Sequence, residues 1–150
     1  MFPFLEQVAL LDTSICYLLI PRNAHKSYES FSLEDNLFIV KDLNIYECLQ
    51  FADFHVTINS SCAIESLFFG VPNILFDYEG WACSYFQNIL NDQKHTVMVK
   101  SAKEFITAIY SHDFYQKTEI IDKSRQFIER DFSENITYVI NEKVLGTLNE

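Results

Sequence analysis

Glycine and proline are scarce, three of each in 150 residues. Together with the absence of any repeat, that rules out collagen-like, low-complexity and disordered readings. A basic excess is also missing. Lysine and arginine number 11 against 21 acids, for a formal net charge of −10, so the chain lacks the cationic stripe a general nucleic-acid binder needs to displace counterions. No nucleic acid is expected as a partner, and any anionic ligand must be met locally. The four cysteines, Cys16, Cys48, Cys62 and Cys83, form no C-x-x-C pair and have no histidine at zinc-ligand spacing. They read as reduced, buried thiols of a cytosolic protein, and no metal is expected.

Long apolar runs are lacking too. Asp12 and Arg22 bracket "ICYLLI", well short of the ~18 residues a membrane span requires, so no transmembrane segment is expected. The opening "MFPFLEQVALL" has no basic stretch and carries Glu6, which disqualifies it as a signal peptide. The N-x-S/T matches at Asn59 and Asn135 then carry no glycosylation meaning. The expected location is the cytoplasm, or the periphery of the inner membrane face. Several chemical signatures are absent as well: no G-x-G-x-x-G, P-loop, G-x-S-x-G elbow, H-E-x-x-H or D-x-D occurs. No cofactor is implied.

What remains is apolar material in a regular order. Nearly half the residues are apolar and 15% aromatic, and a chain of this length buries about two-thirds of its unfolded surface. Phe4, Leu5, Val8, Leu11 and Ile15 recur at helical spacing. "SICYLLI", closed by Pro21, and "NLFIV" (36–40) are short unbroken apolar runs, the pattern of strands buried on both faces of a parallel sheet. A short helix follows, beginning around Asp42 or Asn44, and then a strand over "FHVTI". The spacing predicts a helix over 61–69 that stops at Gly70, with Pro72 blocking continuation. "NILFDY" and "HTVMV" supply two more strands, with a helix in "CSYFQNILND" between them. "SAKEFITAIY" has a capping box in Ser101 and Glu104. From Phe114 two amphipathic helices are expected, one through Ile120, Ile121, Phe127 and Ile128, the other through Ile136, Val139, Ile140 and Val144, parted near Ser133.

Alternating strand and helix gives the fold class: α/β, a Rossmann-like, mostly parallel sheet of about five strands with helices on both faces. Ligands of such sheets sit at the carboxyl ends of the strands. Two loops lie there, "PRNAHK" after the first strand and "NSS" after the third. Ser60 or Ser61 is a natural N-cap, one hydroxyl satisfying a helix amide while the other faces water. Glu65 lies three residues beyond neither serine, so it completes no capping box with either. It either acts as a solvated acid near a helix N-terminus or accepts hydrogen bonds from a ribose. The free amides and positive end of the same helix favour a phosphate, and a nucleotide diphosphate satisfies both. Arg22, His25 and Lys26 concentrate cations in the other loop, which either grips the diphosphate or is a solvated connection. Hydrolase chemistry at Ser60 or Ser61 would need a histidine such as His95 or His112, and His55 reads as a satisfied core histidine. Tyr78, Glu79 and Trp81 follow the fourth strand at the same edge, where an aromatic can pack on a base, on a sugar or simply on its own loop.

The stretch "DLNIYECLQFADFHVTINSSCAIESLFFGVPNILFD" resembles the C-terminal half of GT-B fold glycosyltransferases, especially those of capsular and surface polysaccharides, and their nonhydrolysing epimerase relatives. The match runs through the "AD" turn at Ala52 and Asp53, the small-residue turn Asn59, Ser60 and Ser61, the helix acid Glu65, and "FGVP". The resemblance implies a donor site with Asn59, Ser60 and Ser61 on phosphate, Glu65 on ribose, and Arg22 and His25 facing the diphosphate. The implied donor is a nucleotide diphosphate sugar, UDP-sugar favoured, and the acceptor a sugar or lipid-linked sugar. It also implies residues 1–112 as the nucleotide-sugar-binding domain and 113–150 as helices packing back on it or toward an N-terminal domain. Two departures stand out. The N-terminal domain, which carries the acceptor site, is not in this sequence, so a companion chain is a candidate partner and the catalytic residues stay unassigned. The family's central first strand is missing as well, so the first and third strands here either pair directly or leave a gap that another chain fills, unless the sequence is a truncated product. The alternative readings are a noncatalytic docking subunit that keeps the fold and a related nucleotide-sugar epimerase fragment.

Overall fold

The computed structural model describes residues 2–21 and 35–125; Arg22, His25 and Lys26, and the second C-terminal helix expected through Val144, lie outside them. In chain order the elements are α1 (Phe2–Leu11), β1 (Tyr17–Leu19), β2 (Leu37–Ile39), α2 (Ile45–Leu49), β3 (His55–Thr57), α3 (Cys62–Phe68), β4 (Asn73–Phe76), a 3-10 turn (Tyr78–Gly80), α4 (Trp81–Phe86), β5 (Thr96–Val99) and α5 (Ala102–Ser111). A further helix, α6, covers 117–125. The protein is α/β, and every strand pairing among the described residues is parallel.

The strands form two ladders, β1–β2 and β3–β4–β5. Of the expected arrangements, direct pairing of β1 with β3 is absent among the described residues. Side chains join the ladders instead. Tyr17 and Leu37 enter the same apolar cluster as Ile74, Phe76 and Val99, under the roof made by α1 and α5. Phe4 stacks on Phe76 at 3.9 Å between ring centroids and meets Phe105 edge-on at 5.6 Å. Phe105 in turn lies 6.3 Å from Tyr17. Leu75 points to the opposite face, as alternation along a strand requires, and packs with Ala63, Leu67, Ala82, Phe86 and Ile120. The β3–β4–β5 sheet is thus covered on both faces.

Burial corrects two strand readings. Only β4 is buried at every position. In β1 and β2 the register partners Leu18 and Phe38 are each 50% exposed, because α1 and α5 cover one face of this ladder and no described element covers the other. An unbroken apolar run says that both faces are apolar, not that both find a partner. Leu11 was placed on the buried stripe of α1, yet that face is completed by Ala9 and Leu11 points to solvent. Of the cysteines, all four are free but only Cys48 is buried, and Cys16 is exposed.

The ends of the helices follow local chemistry. Asn44 accepts from the amides of Tyr46 and Glu47, and Glu47 accepts from the Asn44 amide at 2.8 Å, a reciprocal box starting α2. At α5 only half of the expected box forms. Ser101 Oγ accepts from the Glu104 amide at 3.2 Å, but Glu104 reaches past it to the Lys100 amide at 2.8 Å. The helix expected from Cys83 onward begins earlier, at Trp81, and ends at Phe86. Asp77 starts it, its carboxylate taking the Cys83 amide at 2.9 Å.

Gly70 ends α3 with φ +69°, the left-handed position read from the sequence. A Cβ there would meet Lys117 Cγ at 2.4 Å and the Lys117 carbonyl oxygen at 2.6 Å, so α6 rests on the glycine itself. The approach to α6 is fastened by Tyr115, whose amide donates to the Lys94 carbonyl at 2.8 Å and whose ring faces the Lys94 and Lys123 ammonium groups at 5.3 and 4.5 Å.

Candidate functional site

β3 delivers the Asn59–Ser60–Ser61 turn to the carboxyl edge of its ladder, and α3 starts immediately after it. Asn59 and Ser61 are exposed and Ser60 is half-buried. Ser60 Oγ accepts from the Cys62 amide at 3.3 Å. Ser61 occupies the N-cap position with helical backbone angles, φ −56° and ψ −23°, and makes no capping bond. A capping side chain needs an extended backbone to reach forward, so the hydroxyl of Ser61 is left to solvent.

This geometry corrects the expectation of free helix amides. The amide of Cys62 goes to Ser60 Oγ, that of Ala63 to the Ser60 carbonyl at 3.0 Å, and those of Ile64 and Glu65 to the Ser61 carbonyl at 2.9 and 3.3 Å. The turn itself retains the donors. Neither the Ser60 nor the Ser61 amide has an acceptor among the described residues. An anion here would therefore be met by the turn amides and the Ser61 hydroxyl rather than by the helix end.

Glu65 lies one turn beyond Ser61, which places both on one face of α3. Glu65 is half-buried, and its closeness and negative charge raise the pKa of the Tyr46 phenol on α2. Tyr46 also stacks on Phe69 at 6.1 Å, so α2 packs beside α3 through this pair. A carboxylate has acceptor sites on two oxygens, which gives Glu65 capacity for a ligand. Tyr46 was not singled out by the sequence, since nothing in its spacing pairs it with an acid nineteen positions on.

After β4 the same edge carries buried Asp77, then Glu79 at φ +51° and Gly80 at φ +80°. A non-glycine residue in that region costs on the order of 1 kcal/mol or more. The two left-handed residues turn the chain sharply into α4, leaving Tyr78 and Trp81 about half exposed. Among the described residues no cluster of His, Cys, Asp or Glu could hold a metal ion.

No family model, curated protein or solved structure matches this chain. The site is therefore read from its own geometry.

At the opposite end of the ladder lies a polar group that the sequence reading left almost wholly unseen. His55, Asn73 and Thr96 are register neighbours at the first positions of β3, β4 and β5. His55 Nδ1 and Asn73 Oδ1 are 2.8 Å apart, Ser66 Oγ donates to the same oxygen at 3.0 Å, and Asn73 Nδ2 donates to the Ala63 carbonyl at 2.7 Å and to Thr96 Oγ1 at 3.4 Å. His95 Nδ1 extends the chain to Thr96 Oγ1 at 3.0 Å. His55 is thus buried and hydrogen-bonded, as the core-histidine reading expects. Burial lowers the pKa of both histidines, for His55 against the opposing effects of Asn73 and Glu65, and for His95 with Lys123 lowering and Asp92 raising. Depressed histidines stay neutral in the fold and protonate first in the unfolded chain. Their stabilisation is accordingly present above the ordinary value of 6.5 and is lost as pH falls through the folded values below it. The unfolding free energy from urea titrations at pH 7.5 down to 5 should fall, by at most about 1.4 kcal/mol per pH unit per histidine. A His55→Gln variant should show a flatter fall; an identical slope would mean that His55 does not report its burial.

Among the described residues, no helix is long and apolar enough to cross a membrane.

Proposed function

We propose that this chain is the donor-binding part of a nucleotide-sugar-dependent glycosyltransferase of surface polysaccharide synthesis. The single observation behind this reading is the corner at the end of β3. There the amides of Ser60 and Ser61 and the Ser61 hydroxyl have no partner among the described residues, and Glu65 stands on the same helix face one turn away. Pyrophosphate is met by the amides and hydroxyl, and ribose by the spare acceptor capacity of Glu65. Transfer would then be displacement at the anomeric carbon by an acceptor hydroxyl, with the departing nucleotide diphosphate stabilised by fixed donors. UDP-sugars are the favoured donors.

Calorimetric titration with UDP, CDP and GDP tests this directly. One of them should bind, and Glu65→Ala should weaken it by about tenfold or more, the worth of hydrogen bonds to a charged group, while inorganic pyrophosphate binds both proteins alike. Failure of all three nucleotides, or equal affinity in the variant, would sink the reading.

A noncatalytic docking subunit is the second reading, and one observation favours it. Trp81 and Tyr85, one turn apart on α4, are 51% and 59% exposed, and both are residue types that dominate binding hot spots. Such a subunit would bind none of the nucleotides and would co-elute with its companion.

A further inference from the structure

Among the described residues β3 and β5 are both edges of the larger ladder, and α5 overhangs the β5 edge. Between them lies a notch of about 450 Å³ whose lining includes Val97, Met98, Val99, Thr107, Ala108 and Ser111. The direction of the strand's hydrogen-bonding groups follows from its inner partners. The Asn73 amide donates to the His95 carbonyl at 2.8 Å and the Asp77 amide to the Val99 carbonyl at 2.7 Å. Residues 95, 97 and 99 therefore face β4, and the alternate residues face outward. Met98 thus turns both its amide and its carbonyl to the notch, and neither has a partner there among the described residues.

The roof is built to leave that edge accessible. One side of α5 is occupied by α1, where Tyr110 donates to Asp12 at 2.7 Å. The other side presents Glu104, Thr107 and Ser111, short or already engaged side chains at helical spacing, all exposed. Edge strands are commonly blunted by proline, bulges or inward charges, and β5 has none of these. Charge marks one end of the notch. Lys103 has no acidic partner among the described residues, Lys100 precedes it, and the Glu104 carboxylate is held by the Lys100 amide. On a chain of net charge −10, this is a local cationic end.

We propose that the notch binds an extended peptide segment of a partner protein, added as a strand along β5, with small β-branched side chains beneath Thr107 and Ser111 and an acidic residue beside Lys103. The inference is independent of the donor-site reading. An added strand gains its affinity from main-chain bonds to Met98 and its selectivity from alternate side chains, and an acid at the cationic end fixes its direction.

The test uses two fluorescein-labelled, amidated hexapeptides of alternating Thr and Val, one with Glu at the first position and one with Glu at the last. Fluorescence polarisation should show saturable binding of one of them, with amide shifts confined to residues 96–112. Lys103→Glu should weaken it by about fivefold, as for an exposed ion pair, and a matching peptide with Lys in place of Glu should regain the loss. Thr107→Trp, at an exposed helical position, should fill the notch and abolish binding to both. No binding by either peptide, or binding indifferent to both substitutions, overturns the proposal. A dimer in sedimentation that Thr107→Trp dissolves, without peptide binding, overturns it in favour of pairing between copies of this chain.

Discussion

Replacing Phe105 with alanine should cost about 3–5 kcal/mol, the usual price of emptying a buried aromatic site, against a total stability of roughly 5–15 kcal/mol for a domain. The position earns that expectation by what it touches. It is among the most deeply buried large side chains, edge-on to Phe4 of α1 and 6.3 Å from Tyr17 of β1. No backbone bond ties β1–β2 to β3–β4–β5 among the described residues, so the rings around Phe105 are the seam between the ladders. A second readout separates a loosened seam from a general loss. Burial, assisted by the charge of Asp12, pushes the Tyr17 phenol up to about 12. In Phe105→Ala that phenol should titrate closer to the ordinary value of 10 in an ultraviolet titration. A loss under about 1 kcal/mol with Tyr17 unmoved would mean that the ladders are joined elsewhere.

The second large effect is expected at Asn73. Leucine has similar bulk and an intrinsic liking for buried positions, yet Asn73→Leu should lose about 3 kcal/mol, because it strands His55 Nδ1 and removes one partner each from Ser66 and Thr96. Removing one member of a buried polar group is costlier than removing the set. The double variant Asn73→Leu with His55→Leu should therefore recover part of the loss, visible as a urea midpoint between those of Asn73→Leu and the parent. An additive or worse double variant would show that the network is incidental to packing.

How legible these features were in the sequence depends on whether their causes are local. The β4 strand, the left-handed Gly70 and the Ser101 cap of α5 were readable because each is dictated within a few residues: an apolar run, a glycine before a proline, a hydroxyl three residues ahead of an acid. The exposed faces of Leu18 and Phe38 were not, since a run of apolar residues carries no record of what covers it. Asn73 reads as a turn residue at the start of a strand, and only the register places it between His55 and Thr96. At the candidate site the sequence placed Asn59, Ser60, Ser61 and Glu65 together, and they do share one corner. It misassigned the donors, because whether helix amides are free depends on how the preceding turn winds, a matter of two backbone angles at Ser61. Tyr46 reaches Glu65 only once α2 and α3 lie side by side.

The contact between Gly70 and Lys117 sets a mechanical constraint on the rest of the chain. Because a Cβ at position 70 would lie 2.4 Å from Lys117 Cγ and 2.6 Å from the Lys117 carbonyl oxygen, the end of α3 and the start of α6 approach this closely only where there is no side chain. Any side chain at position 70 would therefore have to push the start of α6 away from the end of the helix that carries Glu65.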